Sequence, residues 1–143
     1  MALIVLQRSL ATWGARIYDG FSARSCRRAV LSLSIRVVTE DFAVAGQLCA
    51  ADMAAVAAAG YRSVIINRPD FEEGPDQPRS TDVIDAACAA GLCVEYQPVI
   101  SGGATDDDVR RFAELLEQLP RPTLAYCRSG ARCMGLYKAA LRV

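Results

Sequence analysis

The sequence predicts a single α/β domain built on a central, mostly parallel sheet of four to five strands flanked by helices. From about residue 35, short apolar segments alternate with longer segments whose apolar residues recur at helical spacing. Two helix–glycine–strand units follow one another with their glycines, Gly60 and Gly91, 31 residues apart, which suits a repeated crossover connection. Strands that alternate with helices in this way form a parallel sheet covered on both faces. With 143 residues, 52% of them apolar, the chain can build one domain with a buried core.

Each element has a local signal. The first two strands flank the turn residues Glu40 and Asp41, and the apolar run Val-Ile-Ile marks the third strand. Gly60 and Gly91 fit the left-handed position that ends a helix, and Pro120 stops the third helix. The strands are predicted over 35–39, 42–45, 62–66, 92–99 and 122–126, and the helices over 50–59, 80–90, 105–119 and from 131 onward. Loops beyond the carboxyl ends of parallel strands carry function, so the loops at 67–79, 100–104 and 127–132 are expected at one edge.

Residues 1–34 are predicted to be a basic N-terminal extension, and residues 35–143 the catalytic domain. Residues 1–36 contain six arginines and one acid, although the formal net charge of the whole chain is zero. An arginine-rich, acid-poor arm is typical of an organelle-targeting segment. A poorly ordered extension, or residues translated from an overlong gene model, would give the same composition.

The composition also limits the chemistry. The chain contains no histidine, which excludes an imidazole base or a histidine-containing zinc site. Its six cysteines are scattered, which favours reduced thiols and an intracellular, cytoplasmic protein. No apolar run approaches the roughly 20 residues of a membrane-spanning helix. We therefore expect no metal, no cofactor, no membrane and no nucleic-acid partner, and the sequence predicts no oligomeric state.

The loop after the last strand carries the strongest functional signal. Cys127 follows an apolar strand and precedes a helix, with Gly130 in the connecting turn. Backbone N–H groups in such a turn and the helix dipole favour a thiolate, which is the nucleophilic form of cysteine. Arg132 can offer a planar fork of donors to an oxyanion, and Arg128 adds positive potential. The alternative is that Cys127 is a small buried apolar residue at a strand end.

The segment Tyr126-Cys-Arg-Ser-Gly-Ala-Arg-Cys133, together with upstream Phe42-Ala-Val-Ala-Gly-Gln-Leu, Ile65-Ile-Asn-Arg-Pro-Asp and Tyr96-Gln-Pro-Val, resembles the beta-lactamase hydrolase-like protein, phosphatase-like domain family. Members of this family are often described as sulfur transferases. The resemblance covers about residues 34–140 and implies a dual-specificity-phosphatase type of fold. From the chemistry of the loop, we predict Cys127 and Arg132 as catalytic residues, and Arg128, Ser129, Gly130 and Ala131 as the substrate-binding loop.

Three features depart from tyrosine-phosphatase signatures. Tyr126 stands where such signatures place a histidine, and Cys127 and Arg132 are separated by four residues instead of five. Four is the spacing of rhodanese-type sulfurtransferase loops, and a shorter ring of N–H groups should suit a persulfide sulfur. Cys133 occupies a position that is usually Ser or Thr, so it is either a redox partner that traps oxidised Cys127 or a packing residue of the last helix.

No general acid is obvious. The loop at 101–104 contains none, and Asp106, Asp107 and Asp108 are expected to cap the third helix through the box Thr105-x-x-Asp108. The loop after the third strand offers Asp70 as a candidate acid, with Glu72 as an alternative. These acids would otherwise belong to a solvated turn.

Arg68, in the same loop, is a candidate for substrate binding or for pairing with these acids.

Three functions stay open. The first is a cysteine phosphatase-like hydrolase that acts on a small oxyanion or phosphorylated substrate. The second is a rhodanese-type sulfurtransferase that takes sulfur from a sulfane-sulfur donor and carries it as a Cys127 persulfide. The third is a non-catalytic binder of oxyanions or phosphoproteins.

Overall fold

The computed structural model describes residues 33–143. The predicted basic extension at 1–34 therefore lies outside the described residues except for its last two positions. The predicted fold class is confirmed, since residues 33–143 form five strands and four α-helices that alternate from the second strand onward. The strands are β1 (Ile35–Thr39), β2 (Phe42–Ala45), β3 (Ser63–Ile66), β4 (Cys93–Tyr96) and β5 (Thr123–Tyr126), and the helices are α1 (Met53–Ala58), α2 (Ser80–Ala89), α3 (Asp106–Gln118) and α4 (Ala131–Ala140). None of the helices formed by residues 33–143 has the length and apolar character needed to cross a bilayer.

The five strands form one sheet in the order β1-β2-β5-β3-β4. β1 runs antiparallel to β2, and every other neighbouring pair is parallel. The register places the last residues of the four parallel strands, Ala45, Tyr126, Ile66 and Tyr96, in one row. The segments that follow these residues consequently begin at the same edge of the sheet, as predicted for 67–79 and 127–132.

Helices cover both faces of the sheet. On one face Met53 of α1 and Val83 of α2 pack on Val64 of β3. On the other face Phe112 of α3 packs with the next residue of β3, Ile65. This alternation follows from the two-residue side-chain period of a strand. Burying each such side chain contributes about 1.5–3 kcal/mol. The same alternation at the end of β5 places Cys127 on the α3–α4 face.

The glycines predicted to end two helices do so, and the predicted boundaries agree to within one residue except for two that differ by three residues. Gly60 and Gly91 have φ angles of +98° and +81°. The helix predicted over 50–59 begins with a 3-10 turn, Ala50–Asp52, and is α-helical from Met53. The strand predicted over 92–99 ends at Tyr96, although beyond it the N–H groups of Gln97 and Val99 still donate to the carbonyls of Ile66 and Asn67.

Candidate active site

Cys127 lies at the point where β5 leaves the sheet. Its backbone N–H donates to the carbonyl of Ala45, at the end of β2, over 3.4 Å. The side chain is buried, with 1% of its surface exposed. The N–H of Gly130, at the start of α4, donates to Cys127 Sγ over 3.1 Å. The sulfur therefore faces into the turn that connects strand and helix, as the sequence predicts.

Two glycines allow this turn to lie directly on the end of β2. Gly130 has φ +86°, and a Cβ there would come within 3.3 Å of the carbonyl oxygen of Ala45. A Cβ on Gly46 would meet the carbonyl oxygen of Arg128 at 3.2 Å. That carbonyl accepts from the N–H of Gln47 over 3.2 Å, so the backbones of the two loops are joined. Gly130 provides both the left-handed conformation and the close approach, neither of which suits a residue with a side chain.

The surroundings of Cys127 stabilise its thiolate. A hydrogen bond from the Cys133 side chain is the largest influence lowering the pKa of Cys127, which falls to about 5. Backbone N–H groups of Cys133, Ser129 and Arg132 lower this pKa further, while burial opposes them. An ionised thiol held by several donors is the reactive form of a nucleophilic cysteine.

Cys133, the predicted redox partner, is fully buried beside Cys127. Burial raises the pKa of Cys133 well above its ordinary value, so it stays protonated and can donate. Its thiol also lies 3.3 Å from Oδ1 of Asn67. One hydrogen serves one acceptor at a time, and an anionic thiolate is a stronger acceptor than an amide oxygen. With Cys127 ionised, the Cys133 hydrogen therefore points to Cys127; its redox role stays a prediction.

Arg132 is anchored across the edge of the sheet with 9% of its side chain exposed. Its Nη1 donates to the carbonyl oxygens of Val99, at 2.7 Å, and Asn67, at 3.2 Å. Its Nη2 donates to Oε1 of Glu72 over 2.8 Å. Its Nε is buried without a partner. Arg132 thus keeps a buried, uncompensated Nε–H, which is a donor that an oxyanion can satisfy.

Arg68 and Arg128 lie on the same side and share the acids of the 67–74 segment. Arg68 is 5% exposed and places Nε 2.9 Å from Glu72 and Nη2 2.8 Å from Glu73. Its Nη1 donates to Oε1 of Gln47 over 2.8 Å. Arg128 is 67% exposed, and its Nε lies 2.8 Å from the second oxygen of Glu73. Arg68 therefore pairs with the loop acids, one of its two predicted alternatives, and substrate binding by either arginine stays a prediction.

Asp70, the candidate acid, binds Ser80 at the start of α2. Its Oδ1 accepts from the backbone N–H of Ser80 over 2.7 Å, and its Oδ2 accepts from the Ser80 hydroxyl over 2.6 Å. Both oxygens therefore help to hold a helix N-terminus, where a carboxylate is stabilised. The predicted capping box at α3 is confirmed, since the N–H of Asp108 donates to Thr105 Oγ1 and the N–H of Thr105 donates to Asp108 Oδ2.

The sequence prediction missed two residues that contact the site. Asn67 is fully buried, its Oδ1 lies 3.3 Å from the Cys133 thiol, and its Nδ2 donates to the carbonyl of Gln97 over 3.0 Å. Glu73 links two arginines. Asn67 had a signal, because it is a polar residue directly after a strand of four buried residues. No sequence signal identifies Glu73, because only the folded loops bring Arg68 and Arg128 close to it.

This architecture is that of α/β phosphatases of the dual-specificity type, with a cysteine and an arginine at the edge of a parallel sheet. The family model for the beta-lactamase hydrolase-like protein, phosphatase-like domain, matches residues 34–141. The chain belongs to this family.

Curated relatives agree with this assignment. The chain is 37% identical over 100 residues to the beta-lactamase hydrolase-like protein of Agrobacterium fabrum and 36% identical to that of Xylella fastidiosa. These alignments cover 70% of this chain and 23% of each relative, so the chain spans about a quarter of their length.

Solved structures show the same fold. A candidate phosphatase from Neisseria meningitidis is 34% identical, with a TM-score of 0.68 over 74% of this chain and 75% of that chain. A second candidate phosphatase (DUF442), from Shewanella putrefaciens, has a TM-score of 0.65 at 18% identity over 82% of this chain and 73% of that one. At that identity the second likeness supports the fold alone.

Proposed function

We propose that this domain is a cysteine-dependent, phosphatase-like hydrolase in which the Cys127 thiolate attacks a small oxyanion or a phosphorylated substrate. The observation that carries the proposal is the position of Cys127, buried at the start of a helix with Gly130 N–H on its sulfur and a pKa of about 5. Near neutral pH such a thiol is ionised without a histidine base. This agrees with a chain that contains no histidine.

In this mechanism Cys127 Sγ attacks phosphorus, an S–P bond forms, and the bond from phosphorus to the leaving oxygen breaks. The backbone N–H groups of residues 128–132 and the unpartnered Nε of Arg132 stabilise the developing negative charge. Water then attacks phosphorus, which releases phosphate and restores the thiolate.

The leaving oxygen needs a proton unless it is a stable anion. Both carboxylate oxygens of the candidate acid, Asp70, accept hydrogen bonds from Ser80. We therefore propose that aryl phosphates, whose leaving groups depart as phenolates, are better substrates than alkyl phosphates. General acid catalysis is worth about 10²–10⁴-fold, which sets the expected difference between the two classes.

Sulfur transfer is the second candidate, and the engagement of Asp70 is the observation that favours it. The thiolate would attack the outer sulfur of thiosulfate and form a Cys127 persulfide while sulfite leaves. Cyanide or a thiol would then take the sulfur and restore the thiolate. Neither step requires the enzyme to protonate an oxygen leaving group. The four-residue spacing between Cys127 and Arg132 agrees with this chemistry.

The test is a pair of steady-state assays, one with an aryl phosphate and one with thiosulfate plus cyanide. Each would compare the wild type with Cys127→Ser, and Cys88→Ser would serve as the matched control, since Cys88 is a free, exposed cysteine. The proposal predicts phosphate release by the wild type and the control but not by Cys127→Ser. Thiocyanate formation alone would establish sulfur transfer instead.

Full activity of Cys127→Ser in both assays would show that Cys127 is not the nucleophile. No turnover in either assay, combined with a rise in melting temperature on adding phosphate or sulfate, would favour the third function, a non-catalytic oxyanion binder.

A further inference from the structure

Three arginines around the candidate site converge on two neighbouring carboxylates. Glu72 binds Arg132 at 2.8 Å and Arg68 at 2.9 Å. Glu73 binds Arg68 at 2.8 Å through one oxygen and Arg128 at 2.8 Å through the other. Arg68 and Arg132 are almost fully buried, so their ion pairs with Glu72 form where water screens charge poorly. The acids neutralise most of the positive charge that the arginines bring to the site.

The backbone that presents the two acids adopts unusual conformations at both ends. Phe71, just before Glu72, has φ +61° although it is not a glycine. Gly74, just after Glu73, has φ +101°. A left-handed bulky residue is strained and persists only where surrounding contacts hold it. The ion pairs of Glu72 and Glu73 are contacts of this kind.

A carboxylate on an arginine fork uses the same donors as a phosphate, sulfate or thiosulfate oxyanion. We propose that Glu72 and Glu73 act as an internal anion that competes with the substrate oxyanion for Arg132 and Arg128. Glu72 then limits the affinity of the site, because an incoming oxyanion binds Arg132 Nη2 only when the Glu72 carboxylate releases it. This inference rests on the proposed oxyanion site. It adds that Glu72 and Glu73 limit the affinity of that site for oxyanions.

The opposite hypothesis is that Glu72 holds Arg132 in the orientation needed for substrate. The two hypotheses predict effects of opposite sign. Replacing Glu72 by glutamine keeps the size of the side chain and removes its charge. It strengthens oxyanion binding if Glu72 competes and weakens binding if Glu72 orients the arginine.

The experiment is calorimetric titration of the purified protein with inorganic phosphate. We expect Glu72→Gln to bind phosphate about tenfold more tightly than wild type, equivalent to about 1.4 kcal/mol. Glu73→Gln should show a smaller gain, because Glu73 is 45% exposed and its partner Arg128 is 67% exposed. Glu114→Gln is the matched control, because Glu114 pairs with Arg111 on the exposed surface of α3 and its substitution should leave affinity unchanged.

Unchanged or weaker phosphate binding by Glu72→Gln overturns the proposal, provided that circular dichroism shows the variant folded. If Glu72→Gln does not fold, Glu73→Gln is the test instead. Wild-type affinity of Glu73→Gln for phosphate then overturns the proposal. No phosphate binding by any of the proteins overturns the competition and the oxyanion site together. Tighter binding by Glu72→Gln, in a protein that lacks both enzyme activities, supports the competition while refuting the proposed hydrolase.

Discussion

Removing the Cys133 thiol tests the physical basis of the candidate nucleophile. The hydrogen bond from Cys133 is the largest influence that lowers the pKa of Cys127 from 9.0 to about 5. At pH 7 this shift changes the thiolate from about one part in a hundred to nearly all of the population. A hydrogen bond to a charged group is worth about 1.5–3 kcal/mol. Since one pKa unit is about 1.4 kcal/mol, Cys133→Ala should raise the pKa of Cys127 by about one to two units.

The measurement is a pH titration of the ultraviolet absorbance of the thiolate. Each spectrum would be corrected by subtracting that of the same protein with Cys127→Ser, so that only Cys127 contributes. Cys88→Ala, which removes an exposed free thiol, should leave the midpoint unchanged. A wild-type midpoint near 9.0, or a midpoint that Cys133→Ala does not move, would refute the reasoning.

Three further predictions concern stability and the candidate acid, Asp70. Because folding lowers the pKa of Cys127 from 9.0 to about 5, its thiolate stabilises the fold above pH 9 and loses this effect as the pH falls to about 5. In urea titrations across that window, the unfolding free energy of wild type relative to Cys127→Ser should rise with pH, by at most about 1.4 kcal/mol per unit, and a flat difference would contradict this. Asp70→Ala should cost about 0.5–2 kcal/mol of unfolding free energy by removing the acceptors of Ser80, whereas a loss of about a hundredfold or more in kcat on an aryl phosphate would identify Asp70 as the acid. Gly130→Ala should cost about 1–2 kcal/mol because of its left-handed φ, while Gly135→Ala, inside α4 with open space at its Cβ, should gain about 0.5–1 kcal/mol, and equal effects would be inconsistent with the structure.

The fold could be predicted because its signals are local. Gly60 and Gly91 mark helix ends by their own conformational freedom, and Thr105 with Asp108 forms a cap within one helical turn. The alternation of apolar strands with amphipathic helices determined the parallel sheet. The position of Cys127 at its edge then followed from topology.

The connections within the site could not be predicted, because they join residues that are distant in the chain. Glu72 and Arg132 are 60 positions apart, and Asn67 and Cys133 are 66 apart. No local sequence pattern predicts such pairs. The sequence of the loop after β3 is equally compatible with a catalytic segment and with a solvated turn. In the folded protein Asp70 instead binds Ser80, and the next two acids, Glu72 and Glu73, pair with arginines.

The central claim, that Cys127 is the nucleophile, is tested most directly by intact-mass spectrometry of protein quenched with acid during turnover. Wild type given an aryl phosphate should carry one phosphoryl group, located on the peptide that contains Cys127, and Cys127→Ser should carry none. Wild type given thiosulfate should gain one sulfur atom on the same peptide if sulfur transfer is its chemistry. Turnover without an adduct on Cys127, or an adduct that persists in Cys127→Ser, would contradict the account.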